Sequence, residues 1–495
     1  MLFCTWPFAR FFVLVFALYW LVPWRRLRWS VALPRGRSFT LTGDEARVWL
    51  LLGASTWFYV SWSHALVLLI IGSTLFDYCI GLGLDVSRQT GLRRVLITLS
   101  VAGNLGLLCF FKYTNFFLGS LDELLSATRS SVWFNTLHII VPVGISYYTF
   151  EAISYTVDVY RREVRAERNP AHLLLFVLFF PHLLAGPIVR ARAFLPQVRR
   201  PKRWSWERFQ LGGEYFLRGV LKKWVVAEQL AFYADPVFAN PGVFGSAANW
   251  VALLAFTIEV YCDFSGYADM ALGMAHLLGY RLADNFNMPY LATSVADYWH
   301  RNHISLSTWL RDYLFLPLFS TRSTRRQVYR NFLITMTLGG LWHGASWNFA
   351  LWGFLHGLFL SVHRFFRTFC QARPRLEAFV KSVPGTALRR ALTLLCIGQA
   401  FVLFRAETFA LARAMYHRLW VPAGGLPIFH IYGYNLFWAI VAGFVLAHVI
   451  GCRQGWERAS RRLPAPVLGL TYVAALILCM AMAPIVEKPF LYIQF

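Results

Sequence analysis

The stretch GGLWHGASWNFALWGFLHG, residues 339–357, sets two histidines, His343 and His356, in a run of membrane-grade apolarity. It lies within 331–363, which has Arg322, Arg325, Arg326 and Arg330 on one side and Arg364 and Arg367 on the other. Basic residues concentrate on the cytoplasmic side of a bilayer, so a run that leaves and rejoins basic loops reads as a hairpin dipping into the membrane. His343 then lies near its tip, one turn before Trp347, with Asn348 and His356 further on. An ionisable group at that depth is costly and marks an interior site by default. The bland alternative is a buried histidine bonded to a neighbouring helix. Glycines at 339, 340, 344 and 353 let backbones or a ligand come close.

The rest of the chain has the same character. Its 495 residues are 57% hydrophobic and 17% aromatic, with a positive mean hydropathy, which is too apolar for a soluble globular protein of this size. Membrane-length runs recur near 8–24, 48–62, 64–84, 94–118, 136–158, 171–189, 209–232, 247–280, 304–320, 331–349, 349–366, 387–404, 430–451 and 466–486. Several fall short of the roughly 20 residues of a straight crossing, so some are tilted, broken or re-entrant. The run HLLLFVLFFPHLLAGPIVR (172–190) is interrupted by Pro181, Gly186 and Pro187 and is also flanked by basic residues on both sides. Its irregular backbone at membrane depth predicts an interior cavity.

The formal charge of +24, from 48 Lys+Arg against 24 Asp+Glu, sits in the gaps between apolar runs. That is a topology signal, not a nucleic-acid face. Arg25, Arg26, Arg28, Arg35 and Arg37 place the first loop inside and the N-terminus outside. The gap at Asp122 and Glu123 falls outside, and Arg161, Arg162, Arg165 and Arg168 return the chain to the cytoplasm. The first run is followed directly by Pro23-Trp24-Arg25-Arg26, without a small-residue cleavage site, and reads as a retained helix. Eight cysteines without a C-x-x-C pair give neither a zinc framework nor a disulfide scaffold and read as small buried apolar residues. No repeat or polar linker divides the chain, which predicts one all-α, polytopic integral membrane domain over 1–495 with its core near 140–370.

Candidate chemistry clusters between about 259 and 356. In EVYCDFSGYADMALG (259–273), Glu259, Asp263 and Asp269 interrupt an apolar run around Gly266. The bland reading is a loop or helix break whose carboxylates pair with arginines. In NFNMPYLATSVADYWHRNHISLSTWLRDYLFLPL (285–318), Asn285, Asn287 and Pro289 mark a loop, and Ser294 can cap a helix carrying Asp297, His300, Arg301 and His303. Ser307, Arg311 and Asp312 follow. His300, His303 and Ser307 are spaced three and four apart and can share one helix face. Two imidazoles without a third ligand do not make a metal site, so no metal is expected. A catalytic or substrate-orienting role suits them better. The parts of hydrolases and kinases, a G-x-S-x-G elbow or a phosphate-cradling loop, are missing. Two histidines in an apolar cavity suit general-base work: imidazole can take the proton of a hydroxyl as it attacks an activated acyl carbon such as a thioester.

These residues resemble the membrane-bound O-acyltransferase family, and within it the bacterial branch typified by the alginate O-acetylation membrane protein. The likeness runs nearly end to end through FKYTNFFLGSL (111–121, with Phe110 before it), PVGISYYTFEAISYTVDVYR (142–161), FPHLLAGPIVR (180–190), DFSGYADMALG (263–273), NFNMPYLATS (285–294), HISLSTWLRDYLFLPL (303–318), GGLWHGASWNFALWGFLHG (339–357), FVLFRAE (401–407) and FLYIQF (490–495). The resemblance implies that His343, after Trp342, is the catalytic histidine and His303 its second polar partner. It implies a fold of many helices with re-entrant segments around a thinned centre and a central funnel or tunnel. It also implies an acyl donor, acetyl-coenzyme A or an acyl-carrier thioester, arriving from the cytoplasm with no tightly bound cofactor. The acceptor is then a hydroxyl of an exported polysaccharide or of a partner acyltransferase on the outer face of the cell membrane. Rival acceptors in the family are peptidoglycan and, with an alanyl donor, teichoic acid. Three departures stand out: Trp299-His300-Arg301-Asn302-His303 replaces the usual W-R-R-W-H, and His182 and Glu151 stand where glutamine is common.

A transporter or flippase is the competing class, because broken helices and intramembrane charges also mark translocation paths. Replacement of His343 separates the two: transport tolerates it if the ring has no chemical role, whereas acyl transfer stops.

Overall fold

A computed structural model of the chain describes residues 3–24, 29–33, 37–127, 137, 139–184, 186–319, 324–430, 433–451 and 462–484. Arg25, Arg26, Arg28, Arg35, Arg322, Cys452, the Arg37 side chain and the terminal FLYIQF lie outside the described residues. Six described helices are long and apolar enough to cross a bilayer: His64–Val86, Thr90–Leu125, Ser246–Leu277, Trp347–Gln371, Val383–Arg405 and Tyr434–Gly451. Trp6–Leu21 and Ala465–Ala481 are shorter apolar helices. The chain is thus a helical, multi-pass membrane protein. The sequence reading did not foresee one addition, a short antiparallel hairpin that pairs Trp29–Leu33 with Arg37–Leu41. Contacts gather the chain into two compact units, 1–216 with 268–283 and 217–267 with 284–495.

In the first unit, Thr5 caps Trp6–Leu21 and Thr42 with Glu45 forms a capping box on Gly43–Val60, satisfying amide groups that a helix start leaves unpaired. Phe8, Phe58 and Phe180 pack as an aromatic cluster at centroid distances of 5.8–6.3 Å. A buried carboxylate absent from the sequence reading, Asp77, accepts from Ser100 Oγ (2.6 Å) and Asn104 Nδ2 (2.8 Å), and Ser100 also meets Thr156 Oγ1 (2.8 Å). This network ties His64–Val86, Thr90–Leu108 and Ile145–Tyr160 together.

The 172–190 run is broken, and the break falls before its first proline. Helix Pro170–Leu178 stops at Phe179, and a single turn, Phe180–Leu183, follows. A continuous helix would drive the Pro181 ring into the carbonyl of Val177. The freed amides are satisfied by protein: Phe180 N–H donates to Ser55 Oγ (3.1 Å) and Val189 N–H to Glu151 Oε1 (2.9 Å), as irregular backbone in an apolar surround requires. Glu151 and His182, both departures from the family pattern, face each other here, with Nδ1 3.3 Å from Oε1.

In the second unit, Arg325–His343 and Trp347–Gln371 form the expected hairpin, turning at 344–346. A methyl added at Gly340 would overlap the Phe349 carbonyl, and one at Gly353 the Met336 carbonyl, so the arms touch backbone to backbone. This corrects the spacing inferred around His343: it ends one helix and Trp347 opens the next, so the two do not stack one turn apart. Ser246–Leu277 is unbroken at Gly266, contrary to the expected loop or break. There the glycine admits the Gly219 carbonyl, which a methyl would meet at 2.8 Å. Asp263 is partnered, but by a lysine: Lys223 Nζ lies 2.5 Å from Asp263 Oδ1 and 2.7 Å from Glu228 Oε1.

The seven described cysteines are all free thiols. Cys262, Cys370 and Cys479 are buried as expected, whereas Cys79 and Cys109 are exposed because the helices that carry them turn most of their surface outward.

Candidate active site

His303 and His343 line one small cavity together with Phe264, Phe286, Trp299, Trp352 and Phe404. Its volume of about 30 Å³ leaves room for one or two water molecules. The two imidazoles are almost fully buried, at 1% and 4% exposure, with ring centroids 6.3 Å apart. His343 stands at the C-terminal end of Arg325–His343, edge-on to Trp342 and Trp352 (both 5.1 Å) and Phe404 (5.6 Å). His303 meets Phe264 at 4.6 Å and Trp342 at 5.9 Å.

His303 owes its place to a sharp turn. Ser294 caps Val295–Arg301 by accepting from Asp297 N–H, and that helix ends at Asn302. His303 adopts φ 45°, ψ 54° and starts Ile304–Trp309. Left-handed backbone in a residue other than glycine is uncommon and gathers at functional sites. Asn285 holds the turn: its carbonyl accepts from Ile304 N–H (2.9 Å), and its Oδ1 from Ser305 N–H (3.0 Å), Ser305 Oγ (2.8 Å) and His303 Nδ1 (3.3 Å).

The turn corrects the proposed shared face of His300, His303 and Ser307, because the first lies on one helix, the second is the left-handed residue between two helices, and the third lies on the next helix. His300 is exposed and bonds back to Ala296 O, while Ser307 donates to Asn302 O (3.2 Å). Arg311 and Asp312 pair with each other on a π-helical turn, Leu310–Phe315, with the arginine exposed. Trp347 is 53% exposed. Asn348 is buried and donates to Ala406 O (2.7 Å). Asp263 is held in the lysine triad, and buried Asp269 belongs to the first unit.

Sequence reasoning missed several residues at the site. Besides Asn285, Trp352 and Trp299 form the wall, and Trp299 Nε1 donates to His356 Nδ1 (3.2 Å), which gives the second histidine of the quoted stretch a packing partner. Trp352 Nε1, His356 Nε2 and His303 Nε2 are buried and find no hydrogen-bond partner among the described residues. Among those residues, no three His, Cys, Asp or Glu side chains gather as metal ligands would.

Several apolar helices and a buried pair of imidazoles on one cavity define a membrane protein with a candidate general-base site. The chain matches the profile of the membrane-bound O-acyltransferase family over residues 127–404, more than half its length. It is 39% identical over 428 residues to the "Probable alginate O-acetylase AlgI" of Pseudomonas aeruginosa, covering 85% of this chain and 79% of that protein. The protein of the same name from Pseudomonas putida is 36% identical over 483 residues, covering 92% and 96%. The "Peptidoglycan O-acetyltransferase" of Helicobacter pylori is 34% identical over 415 residues, covering 78% and 75%. The chain belongs to the membrane-bound O-acyltransferase family and is an O-acyltransferase.

Proposed function

We propose that this enzyme moves an acetyl group from a cytoplasmic thioester, acetyl-coenzyme A or an acyl carrier, to a hydroxyl of an exported polysaccharide, directly or through a partner acyltransferase on the outer face. The observation that carries this reading is the pair of buried imidazoles facing one cavity. His343 takes the proton of the acceptor hydroxyl as its oxygen bonds to the acyl carbon. The carbon–sulfur bond breaks, and the departing thiolate receives that proton from the imidazolium. His303, across the cavity, is the second polar group at the reacting centre. The aromatic walls leave little room for water, which would otherwise compete with the acceptor for the acyl group.

The relatives above are named for acetyl transfer, which favours acetyl as the group moved. Peptidoglycan is the second acceptor to test, given the Helicobacter relative. The basic gaps suit an anionic donor and, by the positive-inside rule, a cytoplasmic-membrane protein with an external N-terminus. Whether 1–495 acts as one catalytic domain with a funnel from the cytoplasm belongs to the same proposal, and the hairpin tipped by His343 supports it. The test is mass spectrometry of surface glycans from cells carrying wild-type protein or a His343→Ala variant inserted at equal level. The reading requires ester-linked acetyl in the first and its loss in the second. Wild-type acetylation by His343→Ala would overturn it.

A further inference from the structure

We propose that Asn285 locks His303 in the tautomer that carries its proton on Nδ1, leaving Nε2 as a bare lone pair. His303 is then set to accept a proton, and Asn285 is a positioning residue. The proposal rests on the reading that His303 takes part in acyl transfer.

Which atom of an asparagine amide is oxygen must be settled from its partners. Here a main-chain amide settles it. Ser305 N–H points at the Asn285 side-chain atom 3.0 Å away, and only an oxygen can accept it. The same oxygen lies 2.8 Å from Ser305 Oγ and 3.3 Å from His303 Nδ1. It carries no hydrogen, so the ring must supply the one between them. A neutral imidazole has a single N–H. With the proton on Nδ1, Nε2 has none. That nitrogen lies on the far edge of the ring, is buried, and has no hydrogen-bond partner among the described residues, while the ring itself lines the cavity. An unpaired lone pair there has one evident use, the proton of something that enters.

The geometry of the turn serves this arrangement. Asn285 grips it twice, through its main-chain carbonyl to Ile304 and through its side chain to residues 303 and 305. A histidine side chain free in water favours the opposite tautomer, with the proton on Nε2, so the lock does chemical work that the ring would not do unaided. An amide oxygen also orients the ring without a formal negative charge that would keep an acquired proton there.

The test is solid-state nuclear magnetic resonance of the full-length protein in phospholipid vesicles, its histidine rings labelled with nitrogen-15. The His303 signals are identified by their loss in His303→Gln. A protonated Nδ1 with an unprotonated Nε2 in the wild-type ring is expected, with reversal to protonated Nε2 in Asn285→Leu. Acetyl transfer in that variant should fall about 10- to 100-fold, as when a supporting hydrogen bond is removed elsewhere. A protonated wild-type Nε2, or an Asn285→Leu spectrum identical to wild type, overturns the assignment. The wild-type spectrum decides alone if Asn285→Leu fails to fold. Full acetyl transfer by His303→Gln would strike instead at the catalytic reading and leave the spectra untouched, so the two failures are distinguishable.

Discussion

His303 pays for its position with a left-handed backbone, and His343 stands at the last residue of a helix. Both settings aim a ring into a cavity that a continuous helix would pass by. His303→Ala should lower acetylation strongly but less completely than His343→Ala, read as ester content per glycan repeat at matched protein level. Equal wild-type acetylation in both would remove the site from the mechanism. Lys223 supports a different residue-scale expectation. Removing a cation buried between two carboxylates leaves uncompensated charge, at a cost of about 3–5 kcal/mol, so Lys223→Met should unfold at clearly lower temperature in detergent. Combining it with Asp263→Asn and Glu228→Gln should restore much of the loss. The two histidines that line the cavity were legible because an ionisable side chain contrasts with an apolar run. Phe264 and Trp352 were not, since one aromatic among many carries no contrast. Asn285 showed only as a turn former, its role being visible once residues 18 and 20 positions away are brought to it.

Among the elements, the hairpin makes the sharpest prediction. Gly353→Ala forces a methyl against the Met336 carbonyl, and overpacking of this kind costs about 1–3 kcal/mol. It should lower the unfolding temperature and, by shifting the tip, acetylation too. Gly443→Ala is the control, because an added methyl there meets nothing within 4 Å. A second element-scale prediction concerns the loop before Pro170–Leu178. Glu167 accepts from Arg168 and Asn169 N–H and pairs with Arg199 at 2.5 Å. Burial alone would lift its pKa, but His172, the Asn169 amide and Arg199 outweigh burial and hold it at about 2. A carboxyl depressed below the ordinary glutamate value stabilises the fold above about pH 4.3, and that contribution fades as pH falls towards 2. Glu167→Gln should therefore be less stable than wild type by about 2–3 kcal/mol at pH 7, with the gap closing in acid. A constant gap would assign the effect to packing alone. Hairpin and broken run were both readable from paired basic flanks and prolines. The break at 302–303 was hidden, because residues on two successive short helices can keep the three-and-four spacing of one.

For the molecule as a whole, charge asymmetry makes an orientation testable. Single cysteines at Asp122 and Arg165, in a background stripped of native thiols, should react oppositely with a membrane-impermeant thiol reagent on intact cells: the first labelled, the second protected. The reverse pattern would invert the proposed direction of acetyl traffic. Hydropathy revealed the membrane class and the helical make-up, since apolar length is written directly into composition. It could not reveal the two compact units, which depend on contacts between residues far apart in the chain, nor the short β-hairpin, whose ten paired residues lack membrane-scale length.

The backbone contact at Gly340 and Gly353 has a kinetic corollary. Two helices that meet without intervening side chains cannot part by swinging a rotamer, so the arm bearing His343 is a fixed post. A chamber holding one or two waters must nevertheless widen to admit two reactants, and that widening falls to the rings packed on the His303 side of it, Phe264 and Phe286. Turnover should then be paced by how often those phenyl groups step aside.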